Sequence, residues 1–204
     1  SMPNYQLSIS SKLQGAQTGD MMKEIELVVL SEKPDAVLVY GDTNSTLAGA
    51  LVAAKLYVPL IHVEAGLRSF YKNMPEENNR VTTDHCSSLL FSPTKEGIKN
   101  LVAEGIKHEI GRHEVYHCGD IMYDNSLYFS EQSNDSILVK HLLKKNNYLL
   151  FTMHRPSNTD DPQRLKQICS MLMDLAFEHK LQVVFPIHPR TNKALKDHLT
   201  VSEY

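Results

Sequence analysis

The stretch AVLVYGDTNSTLAGALVAAKLYVPLIHVEAG, residues 36–66, carries the pattern on which the fold turns. Residues 36–40 are a short apolar run that follows Lys33-Pro34-Asp35 and stops at Gly41-Asp42. An apolar run of this length between turn-forming residues predicts a buried strand. Residues 43–56 are rich in Ala and Leu, and Asp42-Thr43-Asn44-Ser45 in front of them can accept hydrogen bonds from the free amides of a first helical turn. Residues 59–63 predict a second strand. The strands are continuously apolar rather than alternating, which predicts a parallel sheet covered on both faces.

The same alternation extends in both directions. A helix-like segment over 19–32 precedes the first strand. Downstream, the pattern predicts a helix over 76–88 behind Pro75, a strand over 89–92, a helix over 94–104 ending at Gly105, and a strand over 115–118 closing on Gly119-Asp120. Between 124 and 147 the composition shifts to Ser, Asn, Gln and Lys, which predicts a boundary. Residues 1–125 would form a first domain lacking its opening segment. Residues 126–204 would form a linker and the truncated start of a second. That second unit reads as strand 148–153, loop 154–161, helix 162–179, strand 182–187, loop 188–190 and helix 191–199. The expectation is an α/β chain of two partial doubly wound units facing each other.

Bulk properties narrow the function. With 204 residues, 42% of them hydrophobic and 22% charged, this is globular material with enough length for a sizeable core. A net charge of −3 with signs interspersed argues against nucleic acid or an anionic membrane as the main partner. The three cysteines share no CxxC spacing, so neither a disulfide framework nor a zinc site is expected, and a reducing cytoplasm fits. No apolar run approaches the roughly 20 residues of a membrane span, and no signal segment is read at the start. Ser1-Met2 looks like the remnant of a tag.

Ligands of open parallel sheets bind beyond the carboxyl ends of the strands, and the ionisable residues gather there. Asp42 and Glu64 follow the first two strands, and His154 and His188 follow the two strands of the second unit. After Glu64 come Gly66, Arg68, and then Pro75-Glu76-Glu77 at a helix start, with Arg80 one turn on. The ordinary reading is a helix cap at Asp42 and an exposed i,i+4 pair between Glu76 and Arg80. The functional reading is carboxylates that move protons and arginines that meet phosphate. Arg155, beside His154 and ahead of a helix, also suits an anion. There is no GxGxxG and no Walker loop, and the expected chemistry uses neither metal nor redox cofactor.

Taken together, Gly41-Asp42-Thr43, His62-Val63-Glu64-Ala65-Gly66-Leu67-Arg68, Pro75-Glu76-Glu77-Asn78-Asn79-Arg80, Ser92-Pro93-Thr94 and Thr152 to Arg155 resemble the non-hydrolysing UDP-N-acetylglucosamine 2-epimerases. The resemblance covers nearly the whole chain. It implies a glycosyltransferase-B-type architecture of two Rossmann-like domains, both incomplete here, with an opening segment that carries an arginine and much of the uridine-binding wall expected to be missing. It implies interconversion of UDP-GlcNAc and UDP-ManNAc through an enzyme-bound 2-acetamidoglucal, a homodimer, a cytoplasmic setting and a place in polysaccharide biosynthesis. By motif, Asp42, Glu64 and Glu76 would be the acid/base carboxylates. Arg80 and His154 would hold the diphosphate, with Arg155, Arg68 and His188 as further residues on the substrate side, Arg68 supporting the site from behind, and Glu77 structural. Two departures bear on the sugar. Gly119-Asp120 stands where the family usually has Gly-Asn, and Asn158 to Pro162 resemble members that act on UDP-2,3-diacetamido-glucuronic acid. The alternatives are therefore a 2-epimerase of that sugar, or a non-catalytic UDP-sugar-binding module.

Overall fold

A computed structural model describes residues 2–10, 13–133 and 136–199. The chain divides into two units, Ser1–Ser130 and Glu131–Tyr204. In the first, α1 (Gln14–Glu32), β1 (Val37–Tyr40), α2 (Asn44–Lys55), β2 (Leu60–Val63), α3 (Pro75–Cys86), β3 (Leu89–Ser92), α4 (Lys95–Ala103) and β4 (Glu114–His117) follow one another. The strands form one parallel sheet in the order β1-β2-β3-β4. Helix α5 (Ile121–Gln132) leads out of this unit and has no buried residue.

Local chemistry fixes these boundaries. Thr43 caps α2 through a capping box with Thr46: each side-chain oxygen accepts from the other residue's amide. Thr46 also donates to the carbonyl of Tyr40, which ties the helix start to the end of β1. Pro75 opens α3, where its missing N–H costs nothing. Small residues on α2 allow a close approach to the sheet. Ala50 and Ala53 are fully buried against Val39 and Leu60, and a Cβ on Gly49 would come within 3.1 Å of Val39. A second cluster joins Ala65, Leu90, Leu101 and Ile106. Burying leucines such as Leu60, Leu90 and Leu101 contributes roughly 1.5–3 kcal/mol each.

One expectation needs correction. Among the described residues, α2 and α4 cover the face of the sheet that carries Val39, Leu60 and Leu90. The opposite face is apolar too, yet Leu38, Tyr40 and Tyr116 on it are exposed. A continuous apolar run reads identically whichever of its faces is packed, so the pattern could not show this difference.

The second unit holds α6 (Ser136–Lys140), β5 (Tyr148–Leu150), α7 (Pro156–Thr159), α8 (Pro162–His179), β6 (Gln182–Val184) and α9 (Pro189–His198), with β5 and β6 paired in parallel. Its core is Met153, Leu165, Cys169, Ala194, Leu195 and Leu199, flanked by the edge-to-face pair Phe151–Phe185. Both strands are half as long as the pattern predicts. Phe151 still donates to Val184, after which the backbone leaves the ladder. The expected 154–161 loop contains the one-turn helix α7, opened by Pro156. No helix among the described residues is long and apolar enough to cross a membrane.

Candidate active site

The loops that follow β1, β2 and β4 each begin with a backbone hydrogen bond to the neighbouring strand. Gly41 N donates to Val63 O, Glu64 N and Ala65 N both donate to Phe91 O, and Cys118 N donates to Ser92 O. The loops therefore leave the sheet in register, side by side. Glu64 has φ +79, a left-handed conformation that costs a non-glycine residue about 1–3 kcal/mol. Its carboxylate lies over Gly41, where a Cβ would stand 3.3 Å from Oε2. Gly41 itself has φ +65, so a side chain there would be strained and would crowd Glu64.

Asp42 is gripped by Arg80, whose Nη2 lies 2.8 Å from Oδ2. The expected partner of Arg80 on its own helix, the Glu76 side chain, is not the one it takes: Nε donates instead to the Glu76 carbonyl oxygen. Asn79 donates to the Asp42 carbonyl at 2.9 Å and to Asn44, whose amide in turn donates to Gln14 and Gln17 of α1. Asp42, exposed Glu76 and Asn79 line an open pocket of about 370 Å³. Glu64 lines a second pocket of about 460 Å³ whose wall includes Tyr40, Phe91, Cys118, Asp120 and Asp124. Partial burial raises the Glu64 carboxyl above its ordinary pKa, and the carboxylates of Asp42 and Asp120 raise it further; Arg80 and His62 pull the other way and do not prevail. A carboxyl whose proton affinity is raised, beside an aspartate–arginine pair, is equipped for general acid and base work.

Arg68 belongs elsewhere. Its guanidinium is buried and committed, with Nε and Nη2 on Glu104 and Nη1 on Asp84 and the Leu67 carbonyl. Burial alone would favour the neutral guanidine, but Glu104 and Asp84 outweigh it and the pKa ends above the ordinary value. Arg68 thus stands behind the loop as a support and not as a group facing the pocket. Asp84, fully buried, also accepts from Gly66 N and meets His62 Nδ1 at 2.7 Å, while His62 Nε2 donates to the Gly41 carbonyl. This lattice pins the loop 62–68 to α3 and α4. Gly66 seals it, because a Cβ there would sit 2.4 Å from the Gly97 carbonyl oxygen. Glu77 has the structural role expected of it. It accepts from Ser69 N, Phe70 N and the Ser69 hydroxyl, closing the loop 69–74 onto α3.

In the second unit, Thr191 donates to the Met153 carbonyl and so fixes the start of α9 beneath the end of β5. This brings the His188 ring to 5.3 Å from the His154 ring. His188 caps α9: its Nδ1 accepts from Arg190 N, which leaves the ring proton on Nε2. His154 and Arg155 are exposed and line a pocket of about 340 Å³. Arg190 is occupied by Asp160, with Nη2 2.5 Å from Oδ2.

The framing roles of two residues escaped the sequence: Asp84 and Asn79. A signal did exist for the first. Glu77, Arg80 and Asp84 recur at i, i+3 and i+7, the spacing an inward helix stripe would fill with apolar residues.

With this geometry in hand, comparison with known proteins is informative. The family described as UDP-N-acetylglucosamine 2-epimerase matches residues 1–203. A Methanococcus maripaludis protein named as a UDP-N-acetylglucosamine 2-epimerase homolog is 49% identical over 197 residues, 95% of this chain and 53% of that protein. The UDP-2,3-diacetamido-2,3-dideoxy-D-glucuronate 2-epimerase of Pseudomonas aeruginosa is 47% identical over 194 residues, again 95% of this chain and 53% of its own length. The crystal structure of Methanocaldococcus jannaschii UDP-GlcNAc 2-epimerase in complex with UDP-GlcNAc and UDP aligns with a TM-score of 0.84 at 44% identity, covering 97% of this chain and 54% of that one. The chain spans about half the length of the curated relatives it matches.

Proposed function

The chain belongs to the UDP-N-acetylglucosamine 2-epimerase family, and from that premise we propose that the complete protein interconverts UDP-GlcNAc and UDP-ManNAc by eliminating and re-adding UDP. The sugar C2 proton is not acidic by itself. It can leave when the C1–O bond breaks in concert: a carboxylate takes the proton, the C–H electrons form the C1=C2 bond, and UDP departs with the C1–O pair. Return of a proton to the opposite face of C2, with UDP oxygen bonding C1, gives the epimer. One base cannot reach both faces, so more than one carboxylate is needed. The observation that carries the reading is the raised proton affinity of Glu64 beside the Asp42–Arg80 pair at open strand ends. Asp42, Glu64 and Glu76 move protons in this proposal. Arg80, His154 and Arg155 offset the charge that develops on the diphosphate, and His188 supports His154.

A second reading is a 2-epimerase of UDP-2,3-diacetamido-glucuronic acid. It is favoured by the 47% identity to the Pseudomonas enzyme, nearly that of the Methanococcus maripaludis homolog. Proton NMR of the complete protein in heavy water separates the two. Deuterium at C2 and a manno isomer are expected with UDP-GlcNAc, and Asp42→Asn, Glu64→Gln and Glu76→Gln each lower turnover by about 100-fold or more. Exchange only with the diacetamido sugar transfers the assignment to the second reading. Exchange with neither overturns both.

A further inference from the structure

The pocket that holds Glu64 contains an acid the mechanism above leaves idle. Asp120 follows β4, and its Oδ1 accepts from Met122 N at 2.8 Å while its carbonyl accepts from Tyr123 N and Asp124 N. The side chain is thus locked by the first turn of α5 and has Oδ2 to spare. Glu64 reaches the same pocket from the end of β2, fixed by its left-handed backbone and its two-amide anchor on Phe91. The pocket floor is the apolar, half-open sheet face of Tyr40, Val63 and Phe91, which screens charge less than water does. No lysine or arginine lines it.

We propose that Asp120 is a positioning residue of the reaction: held by the first turn of α5, it keeps a fixed negative charge on the pocket wall that Glu64 shares, adding to that of Asp42. The inference rests on the epimerase reading, in which Glu64 moves a proton. The groups facing Glu64 are Asp42 behind β1, His62 on β2, Arg80 on α3, Asp120 behind β4 and, in the same pocket, Asp124 on α5 and Cys118. Asp42 is already matched by Arg80. Among the described residues, the Asp120 carboxylate accepts one backbone amide and forms no ion pair, so its charge reaches Glu64 without a paired cation.

Asp120→Asn removes the charge and keeps the cap, since an amide oxygen also accepts from Met122 N. The Glu64 carboxyl carbon, identified by its loss in Glu64→Gln, is followed by carbon NMR against pH in the complete protein. In Asp120→Asn its titration moves to lower pH, because a like charge that favoured the protonated form is gone. Asp120→Ser, which also caps, gives the same shift. Asp124→Asn leaves the titration in place. An unmoved titration in both Asp120 variants, or an equal shift in Asp124→Asn, overturns the proposal. The pH limb of kcat/KM that belongs to Glu64 moves to lower pH with the titration, whereas a residue that merely caps α5 would leave it unchanged. Because the NMR titration needs no turnover, a protein that fails to epimerise either sugar would sink the functional reading while the role of Asp120 is still decided.

Discussion

Behind β2, His62, Arg68 and Asp84 are withdrawn from water and satisfied by one another, by Glu104 and by backbone groups. Behind β5 and β6 the ionisable groups stand in solvent: His154, Arg155, Asp160, His188 and Arg190 are all exposed, and Asp160 meets Arg190 at the surface. A buried charge tolerates one arrangement, because leaving it unpaired is expensive. The first unit's lattice therefore acts as a frame that fixes where Asp42 and Glu64 sit. Exposed charges keep their water until a ligand replaces it, so the second unit offers groups that can adapt to an anion. In the proposed reaction, proton transfer is the step that needs fixed geometry, whereas neutralising a diphosphate is less exacting.

Substitution can break this contrast. Arg68→Met should have the largest effect on stability, about 3–5 kcal/mol, because it takes the guanidinium from buried Asp84 and from Glu104. Chemical denaturation of the complete protein measures it, and a loss no larger than that of a surface variant would show that the lattice is not a frame. Next comes Glu77. Burial pushes its carboxyl up, but the amides of Ser69 and Phe70, the Ser69 hydroxyl and Arg80 outweigh it, and its pKa lies below the ordinary 4.5. A depressed folded pKa gives stability that is fully present above the unfolded value and lost as pH falls through the folded one. Glu77→Gln should thus cost about 1.5–3 kcal/mol at neutral pH. The gap between variant and wild type should close as pH drops from 4.5 through the folded pKa. A gap independent of pH would refute the charge-assisted role. Thr43→Ala removes half of the α2 capping box and should cost about 1 kcal/mol, read as a lower thermal midpoint. At the bottom of the scale, Asp160→Asn should leave the midpoint where it was, despite breaking a short ion pair, because both partners are solvated. A clear loss there would erase the distinction between the two units.

The first unit was legible almost element by element, because glycines, prolines and caps punctuate it: Gly41 and Thr43 separate β1 from α2, and Pro75 starts α3. The second unit was less so, since the apolar runs 148–153 and 182–187 outlast the three-residue strands that pair within them. At the site, the residue types were visible and their partners were not. Arg80 was expected beside Glu76, four residues away, but takes Asp42, which is 38 positions distant. Arg68 reads as a support behind the site, but that it acts through Glu104 and Asp84 was not legible. Charged residues are normally solvated, so a pattern of charges gives no sign that several of them lie inward.

By itself the sequence determined the succession of parallel strands and helices and the collection of acids, arginines and histidines at strand ends. Those follow from apolar runs and turn residues, which act over a few neighbours. Only the tertiary structure decided which charges are frame and which remain available, and which carboxylates share a wall. Those outcomes depend on desolvation and on Coulomb interactions between residues tens of positions apart, and a linear pattern holds no record of either.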